Sequence, residues 1–223
     1  MLKLDLHIHT IYSKVLNLLD SSITFEDIIS QAREKKLNGV AITDHNSLKG
    51  AMKFKKYVRR KDIKLLVIPG EEIKTREGDV LALGVEREIK PGLDLDETLD
   101  LIKKYGGISI AAHPYLRGMG EGNVRRYKFD GIEVYNSNLP LKHNLKAYSL
   151  SEELGLSKTA GSDAHFPKYI GAAFTLVESD LDADSVIEAI RKGKTRVFGK
   201  NTTPLGALVK EVERAFFKLR SFI

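Results

Sequence analysis

With 223 residues and a 42% hydrophobic fraction, the chain can bury one sizeable core, and a single domain is the expectation. It contains no long apolar span and no signal-peptide pattern at its N-terminus, which predicts a cytoplasmic protein; the absence of cysteine excludes disulfides and thiolate ligands and leaves His, Asp and Glu for any metal, a donor set suited to zinc, manganese or iron. A net charge of +6 favours acidic partners such as phosphates or nucleic acid, or serves solubility alone, and a Lys- and Glu-rich composition without Cys is that of heat-stable proteins.

In chain order, the apolar alternation of "KLDLHIHT" predicts a first strand, and "TFEDIISQAREKKLNG" a helix with Thr24 at its N-cap and Gly39 past its end. "GVAITDH" reads as a short strand, "SLKGAMKFKKYVRRKD" as a basic helix, "IKLLVIPGEEI" as a strand and "REGDVLALGV" as a strand or hairpin. The helix "LDETLDLIKKYGG" and the strand "GISIAAHP" follow, then an irregular stretch, "YLRGMGEGNVRRYKFD", and the strand "GIEVYNS". The helix "LKHNLKAYSLSEELG", the strands "SKTAGSDAH" and "GAAFTLVES" and the helix "DADSVIEAIRKG" complete the alternation. Nearly continuous apolar strands alternating with helices predict parallel strands covered on the outside, as in a closed or nearly closed β/α barrel. From Thr203 to Ile223, Leu205, Leu208, Val209, Val212, Ala215, Phe216 and Leu219 recur at helical spacing, which predicts an amphipathic helix packed on the barrel, with an oligomer or membrane-surface contact as the alternative.

The predicted strand ends share a feature: "DLHIHT", "AITDH", "IPGEE", "IAAHP" and "AGSDAH" each place a metal-competent side chain at the carboxyl end of an apolar strand, where β/α barrels keep their active sites. Residues two apart on a strand share a face, so His7 and His9 can bind one cation from one side, and Asp163 and His165 stand in the same relation. A histidine in an inward position needs a proton partner or a metal, and five of the six histidines fall at strand ends. The sixth, His143, reads as part of a solvated helix face.

The ordered set "DLHIHTIYS", "AITDHNS", "IPGEEIKT", "AAHP" and "GSDAH", spread from residue 5 to residue 165, resembles the polymerase-and-histidinol-phosphatase (PHP) superfamily of metal-dependent phosphoesterases. The resemblance implies a distorted seven-stranded β/α (TIM-like) barrel with two or three divalent ions at the strand ends. It implies that His7, His9, Glu72 and Asp163 hold one metal, that Glu72 bridges to a second also held by His113, and that His45 and His165 hold a third; Glu72 rather than Glu71 takes this role, with Glu71 on the opposite face. The chain departs from the family pattern twice. Lys14 and Val15 stand where the family carries an acidic or histidine ligand, so either Asp20 substitutes or the third metal is weak or absent. Asp79 stands where the family often has a histidine, as a carboxylate ligand or as an exposed turn residue beside Gly78.

Clustered divalent ions lower the pKa of a bound water and clamp the oxygens of an in-line phosphoryl displacement, so no protein nucleophile is needed, and Ser13, Ser109 and Ser162 lack a base partner free of metal. His7, His9, Glu72, His113, Asp163 and His165 are the expected catalytic set, with His165 a candidate donor to the leaving oxygen. Arg117, then Lys14 and Lys142, are candidates to grip phosphate; Asp5 and Asp44 are expected to orient ligand histidines; and Tyr115 and Tyr135 either stack on a substrate ring or pack in the fold. The expected substrate is a small phosphomonoester, a nucleotide or an oligonucleotide end. The alternatives are a catalytically weak binding module or nucleic-acid partner of the same barrel type, and a metal hydrolase of carbon–nitrogen bonds, which usually needs a bridging lysine where this chain has Glu72.

Overall fold

The structure is a computed structural model that describes residues 1–116 and 119–199 and, in the C-terminal segment, residues 206, 209, 210, 212, 213, 215 and 217. Strand β1 (Leu2–Ile8) leads into a small hairpin, β2 (Lys14–Val15) and β3 (Leu18–Leu19), followed by α1 (Phe25–Glu34), β4 (Gly39–Ile42), α2 (Lys49–Arg60), β5 (Leu66–Lys74) and β6 (Asp79–Leu83). Then come α3 (Leu95–Lys104), β7 (Ile108–Ala111), α4 (Glu121–Arg126), β8 (Gly131–Asn136), α5 (Leu141–Leu154), β9 (Ser157–Gly161), β10 (Ala173–Val177), α6 (Ala183–Arg191) and β11 (Thr195–Gly199).

Local chemistry sets most of these bounds. Thr24 caps α1 in a reciprocal box with Asp27, each side chain accepting the other's backbone N–H. The helix ends at Lys35, with Lys36 in the left-handed region, so the stop precedes Gly39. Gly39 instead opens β4, where a Cβ would lie 2.7 Å from the Leu66 backbone oxygen on the neighbouring strand. On α2, Ala51, Phe54 and Val58 recur on one face and bury against β5 and β4 in a cluster with Val67, Val40 and Ile42. Phe54 and Val58 each contribute about 1.5–3 kcal/mol on leaving water. The stretch expected to be irregular contains α4, which buries Val124.

Nine strands form one sheet in the order β11-β10-β1-β4-β5-β6-β7-β8-β9, a TIM-like barrel with nine strands rather than the expected seven. The expectation of parallel strands holds for β1–β4, β4–β5, β7–β8 and β8–β9 and fails elsewhere: β5–β6, β6–β7, β1–β10 and β10–β11 pair antiparallel. The β5–β6 reversal follows from a loop too short for a crossover, in which Thr75 bonds the backbone of Gly78. The barrel closes where the chain after β9 meets β1: Asp163 N donates to His7 O at 2.8 Å and His9 N to Ala164 O at 3.1 Å. One apolar core joins Leu4, Leu6, Ile68, Leu81, Leu83, Ile108 and Ile110 to Val186, Ile187 and Ile190 of α6. Among the described residues no helix is long and apolar enough to cross a membrane.

The described residues of the C-terminal segment are helical, and their facing differs from the predicted stripe: Val209, Val212 and Ala215 are exposed while Lys210, Glu213 and Phe217 are partly covered. Glu213 accepts from Tyr169 Oη at 2.9 Å and pairs with Lys168, and the Phe217 ring meets that of Phe166 edge-on. Polar partners on the Phe166–Tyr169 stretch, absent from any hydropathy pattern, set this rotation. Leu205, Leu208, Phe216 and Leu219 lie outside the described residues.

At the closure point Gly161 leaves no room for a side chain, since a Cβ would lie 2.3 Å from His7 Cβ and 2.8 Å from His7 N. Gly161→Ala is expected to destabilise the fold by about 1–3 kcal/mol, and to displace His7, whereas Gly122→Ala, where a Cβ meets nothing within 4 Å, leaves the melting temperature unchanged or raised. Thermal unfolding of the two variants checks this.

Candidate metal centre

The carboxyl ends of β1, β4, β5, β7 and β9 converge at one mouth of the barrel. A register shift in β1 between Asp5 and Ile8 re-aims the strand's end, the usual work of a β-bulge beside a site. It leaves His7 and His9 with their Nε2 atoms 3.0 Å apart. Glu72 on β5 reaches between the histidines: its Oε2 lies 3.4 Å from His7 Nε2, 3.3 Å from His9 Nε2 and 3.0 Å from His45 Nδ1, and its Oε1 lies 2.7 Å from His113 Nε2. Asp163 Oδ1 stands 3.1 Å from His9 Nε2 and 3.5 Å from His7 Nε2. His113 and Asp163 hold φ angles of 28° and 50°, strained for residues with side chains and characteristic of functional sites.

Three overlapping groups bring ligand atoms within 4.8 Å of one another: His7, His9 and Glu72; Glu72, Asp79 and His113; and His9, His45 and His165. Asp79 is therefore a buried neighbour of Glu72 and not an exposed turn residue. Lys14 and Val15 are spent on the hairpin, whose tip, Leu16 and Asn17, is left-handed at both positions as a tight turn requires. The returning strand delivers Asp20, fully buried, with Oδ2 2.9 Å from His165 Nε2 and 3.2 Å from His45 Nε2.

The histidine tautomers decide what this cluster can hold. His165 Nδ1 faces the Asp163 carbonyl at 2.9 Å, and a carbonyl only accepts, so Nδ1 carries the proton and the Nε2 lone pair faces the Asp20 carboxylate. His7 Nδ1 likewise faces Glu133 Oε1 at 2.9 Å, which turns its Nε2 lone pair toward Glu72, Asp163 and His9. Lone pairs aimed at carboxylates in a buried site demand a cation between them. Either protons or a metal can fill that role: burial opposes charge on His7, but the carboxylates of Glu133 and Asp163 hold its pKa well above the ordinary value, and against the same burial Glu72 and Asp20 push His45 up to about 9. Glu72 and Asp163, despite their own burial, are held well below the usual carboxylate range by His45 and His113, and by His7 and His9. With Asp20, Glu72, Asp79, Glu133 and Asp163 all buried and five imidazoles facing them, the donor set fits hard or borderline divalent ions.

Glu133 escaped sequence reasoning. It is nearly fully buried on β8, and besides His7 it accepts the His113 backbone N–H at 2.9 Å, so one carboxylate fixes two of the clustered histidines. Its signal was present as an acidic residue inside the apolar strand "GIEVYNS". Asp5 and Asp44, expected to orient histidine rings, instead hold neighbouring chain: Asp5 accepts from Ser162 N at 2.9 Å and Gly171 N at 2.7 Å, and Asp44 accepts from both the backbone N–H and the hydroxyl of Thr10. Glu71 points away from the cluster and accepts from Ile89 N at 2.8 Å.

Of the expected phosphate cations, Lys14 lines a cavity of about 630 Å³ that opens beside His45 and is also lined by Tyr12, Asn46, Ser47 and Lys49. Lys142 is exposed on α5, and Arg117 lies outside the described residues. His143 is partly covered on α5 and belongs to none of the ligand groups. Ser13 Oγ meets His9 Nδ1 at 3.3 Å, Ser109 Oγ donates to Asp130, and Ser162 Oγ donates to the His7 carbonyl. Tyr135 packs so closely on Gly199 that a Cβ there would lie 2.0 Å from its ring, and the Tyr115 hydroxyl donates to Glu121.

A family model described as PHP-associated, PHP_C, matches residues 142–195. The uncharacterized protein MJ1587 of Methanocaldococcus jannaschii is 38% identical over 144 residues, which are 61% of this chain and 82% of that protein. A second uncharacterized protein of the same organism, MJ0417, is 32% identical over 183 residues, 78% of this chain and 69% of its own length. Among solved structures, a two-domain protein from Bacteroides vulgatus, containing a predicted PHP-like metal-dependent phosphoesterase, superposes with a TM-score of 0.71 over 89% of this chain and 64% of its own, at 19% identity, a likeness of fold.

Glu133→Gln is expected to weaken divalent-metal affinity about 10- to 100-fold by releasing His7 and His113, measured by competition with a chromogenic chelator. In the metal-stripped protein, His45 has a pKa raised from 6.5 to about 9, so its contribution to stability is complete below pH 6.5 and is lost as the pH rises toward 9. Melting temperatures in chelator are expected to fall across that window, and saturating manganese is expected to abolish the fall.

Proposed function

We propose that this chain, which belongs to the PHP superfamily, is a hydrolase of phosphate esters that acts with two or three divalent ions, zinc, manganese or iron, held by its His, Asp and Glu cluster. The observation that carries the reading is the pair of histidines, His7 and His165, whose tautomers are fixed by Glu133 and by a backbone carbonyl so that their free lone pairs face buried carboxylates. His7, His9, Glu72 and Asp163 would hold one ion, Glu72, His113 and Asp79 a second, and His45, His165 and Asp20 a third. When bound, such ions neutralise charge on a phosphoryl group and make a water acidic enough to ionise near neutral pH.

The protein's own residues do the rest. Glu133 and the Asp163 carbonyl orient His7 and His165, and Ser13 meets the far nitrogen of His9. The hydroxyls of Ser109 and Ser162 are engaged with Asp130 and the His7 carbonyl, which supports attack by water over a covalent serine route. The cavity beside His45, with Lys14 and Lys49 in its wall and a volume in the range of small-molecule sites, supports a small phosphorylated substrate or nucleotide. The phosphoesterase description of the B. vulgatus fold relative supports the same reaction class.

Elemental analysis of the purified protein is expected to find two or more divalent ions per chain, with manganese-stimulated hydrolysis of an aryl phosphate or a thymidine phosphodiester. His9→Ala is expected to lose turnover by about a hundredfold or more, and Asp20→Asn to lower the metal content with the barrel intact. Bound metal with no turnover of either ester would replace this reading with that of a binding module.

A further inference from the structure

The described part of the C-terminal segment brings a cation to the rim of the metal-ligating cluster. Lys210 Nζ donates to the Ser137 carbonyl at 2.7 Å and lies 3.3 Å from Ser137 Oγ. Ser137 is buried at the end of β8; its N–H donates to Gly161 O at 3.2 Å and its hydroxyl to Ser162 O at 2.7 Å, which ties it to the two residues that precede Asp163. Asn138, the next residue, donates from Nδ2 to the Asp163 carbonyl at 2.6 Å. The ammonium is thus anchored to the backbone that aims a metal-ligating carboxylate, and it lies 4.5 Å from the Tyr169 ring centroid.

Lys210 is partly buried and has no counter-ion among the described residues. Lys168 pairs with Glu213 and Lys158 with Glu152, but Lys210 forms no ion pair among the described residues. Glu213, one turn further on, is already committed to Lys168 and Tyr169. An ammonium has three protons to donate, and its bonds here are to neutral oxygens of one residue. Burial pushes its pKa down to about 8, opposed by the charges of Asp163 and Glu213, so it is a cation held partly out of water without a carboxylate of its own. A half-buried, unpaired ammonium anchored beside a metal cluster is suited to an anion that comes and goes.

We propose that Lys210 contacts the phosphate group of the substrate at the rim of the metal centre. The proposal rests on the phosphoesterase reading for the identity of the anion, and phosphate binding, measured apart from turnover, separates the two. Inorganic phosphate is titrated calorimetrically into manganese-loaded wild type, Lys210→Ala, Lys210→Gln and Lys210→Arg, with metal content and melting temperature recorded for each. Affinity is expected to fall about tenfold in the Ala and Gln variants and to stay within about threefold in the Arg variant, with metal content unchanged. For the aryl phosphate, KM is expected to rise in parallel, with kcat less affected.

Unchanged phosphate affinity in Lys210→Ala overturns the proposal, whether or not the melting temperature drops, because a fastening role alone predicts that result. Loss of metal together with affinity in both neutral variants also overturns it, since the lysine would then act through Asp163. Wild type that binds no phosphate overturns it as well. Lys210-dependent phosphate binding by a protein that hydrolyses no ester upholds it and removes the hydrolase reading instead.

Discussion

The Glu72 carboxylate lies 2.7–3.4 Å from ring nitrogens of four histidines that arrive from three separate stretches of chain, and its charge survives burial only because those rings surround it. A carboxylate so placed costs several kcal/mol of lost hydration unless positive charge meets it from every side. The rest of the mouth answers that demand. Asp163 and Asp20 extend the alternation of carboxylate and imidazole outward, and the result is a buried assembly whose members are individually costly and collectively neutralised by protons or by metal.

A cluster of this kind holds together only if the strands that carry it cannot shift, and buried acids that touch no metal-facing nitrogen supply much of that rigidity. Asp5 grips the backbone of Ser162 and Gly171, so that the loop carrying Asp163 and the strand carrying His7 are fixed to each other. Asp44 grips Thr10 just past His9, and a Cβ on Gly50 would collide with that carboxylate at 1.9 Å, so the first turn of α2 is kept bare to admit it. Glu133 does both kinds of work, holding one ring and one backbone N–H. Barrel closure through Asp163 N and His9 N completes the frame, because the hydrogen bonds that seal the sheet run through residues of the cluster itself.

The hairpin after β1 shows how a short excursion of chain can complete a buried cluster. Lys14 and Val15 pair with Leu19 and Leu18, and the loop so formed swings Asp20 in to meet His45 and His165. The same hairpin carries Lys14 into the wall of the cavity beside His45. One short excursion thus places a carboxylate among the histidines and a cation in the wall of the neighbouring cavity.

The sequence by itself determined the helix and strand alternation, the same-face pairing of His7 with His9, and the gathering of metal-competent residues at strand ends, because these follow from periods of 3.6 and 2 and from short-range capping. The helix starting at Thr24 was legible for the same reason. Apart from β6, whose short loop implies a reversal, only the tertiary structure decided which strands run antiparallel, since a reversal leaves no trace in an apolar run, and only it turned Lys210, Glu213 and Phe217 rather than Val209, Val212 and Ala215 toward the barrel. Asp20 was left open by the sequence because its placement depends on how many residues a hairpin consumes. Glu133 was legible only as an acidic residue in an apolar strand, and its partner was not, because His7 lies 126 residues away along the chain. The pattern of residues reports what each segment buries, but the partner of a buried charge is chosen in space, by whichever distant strand the closed sheet brings within hydrogen-bonding distance.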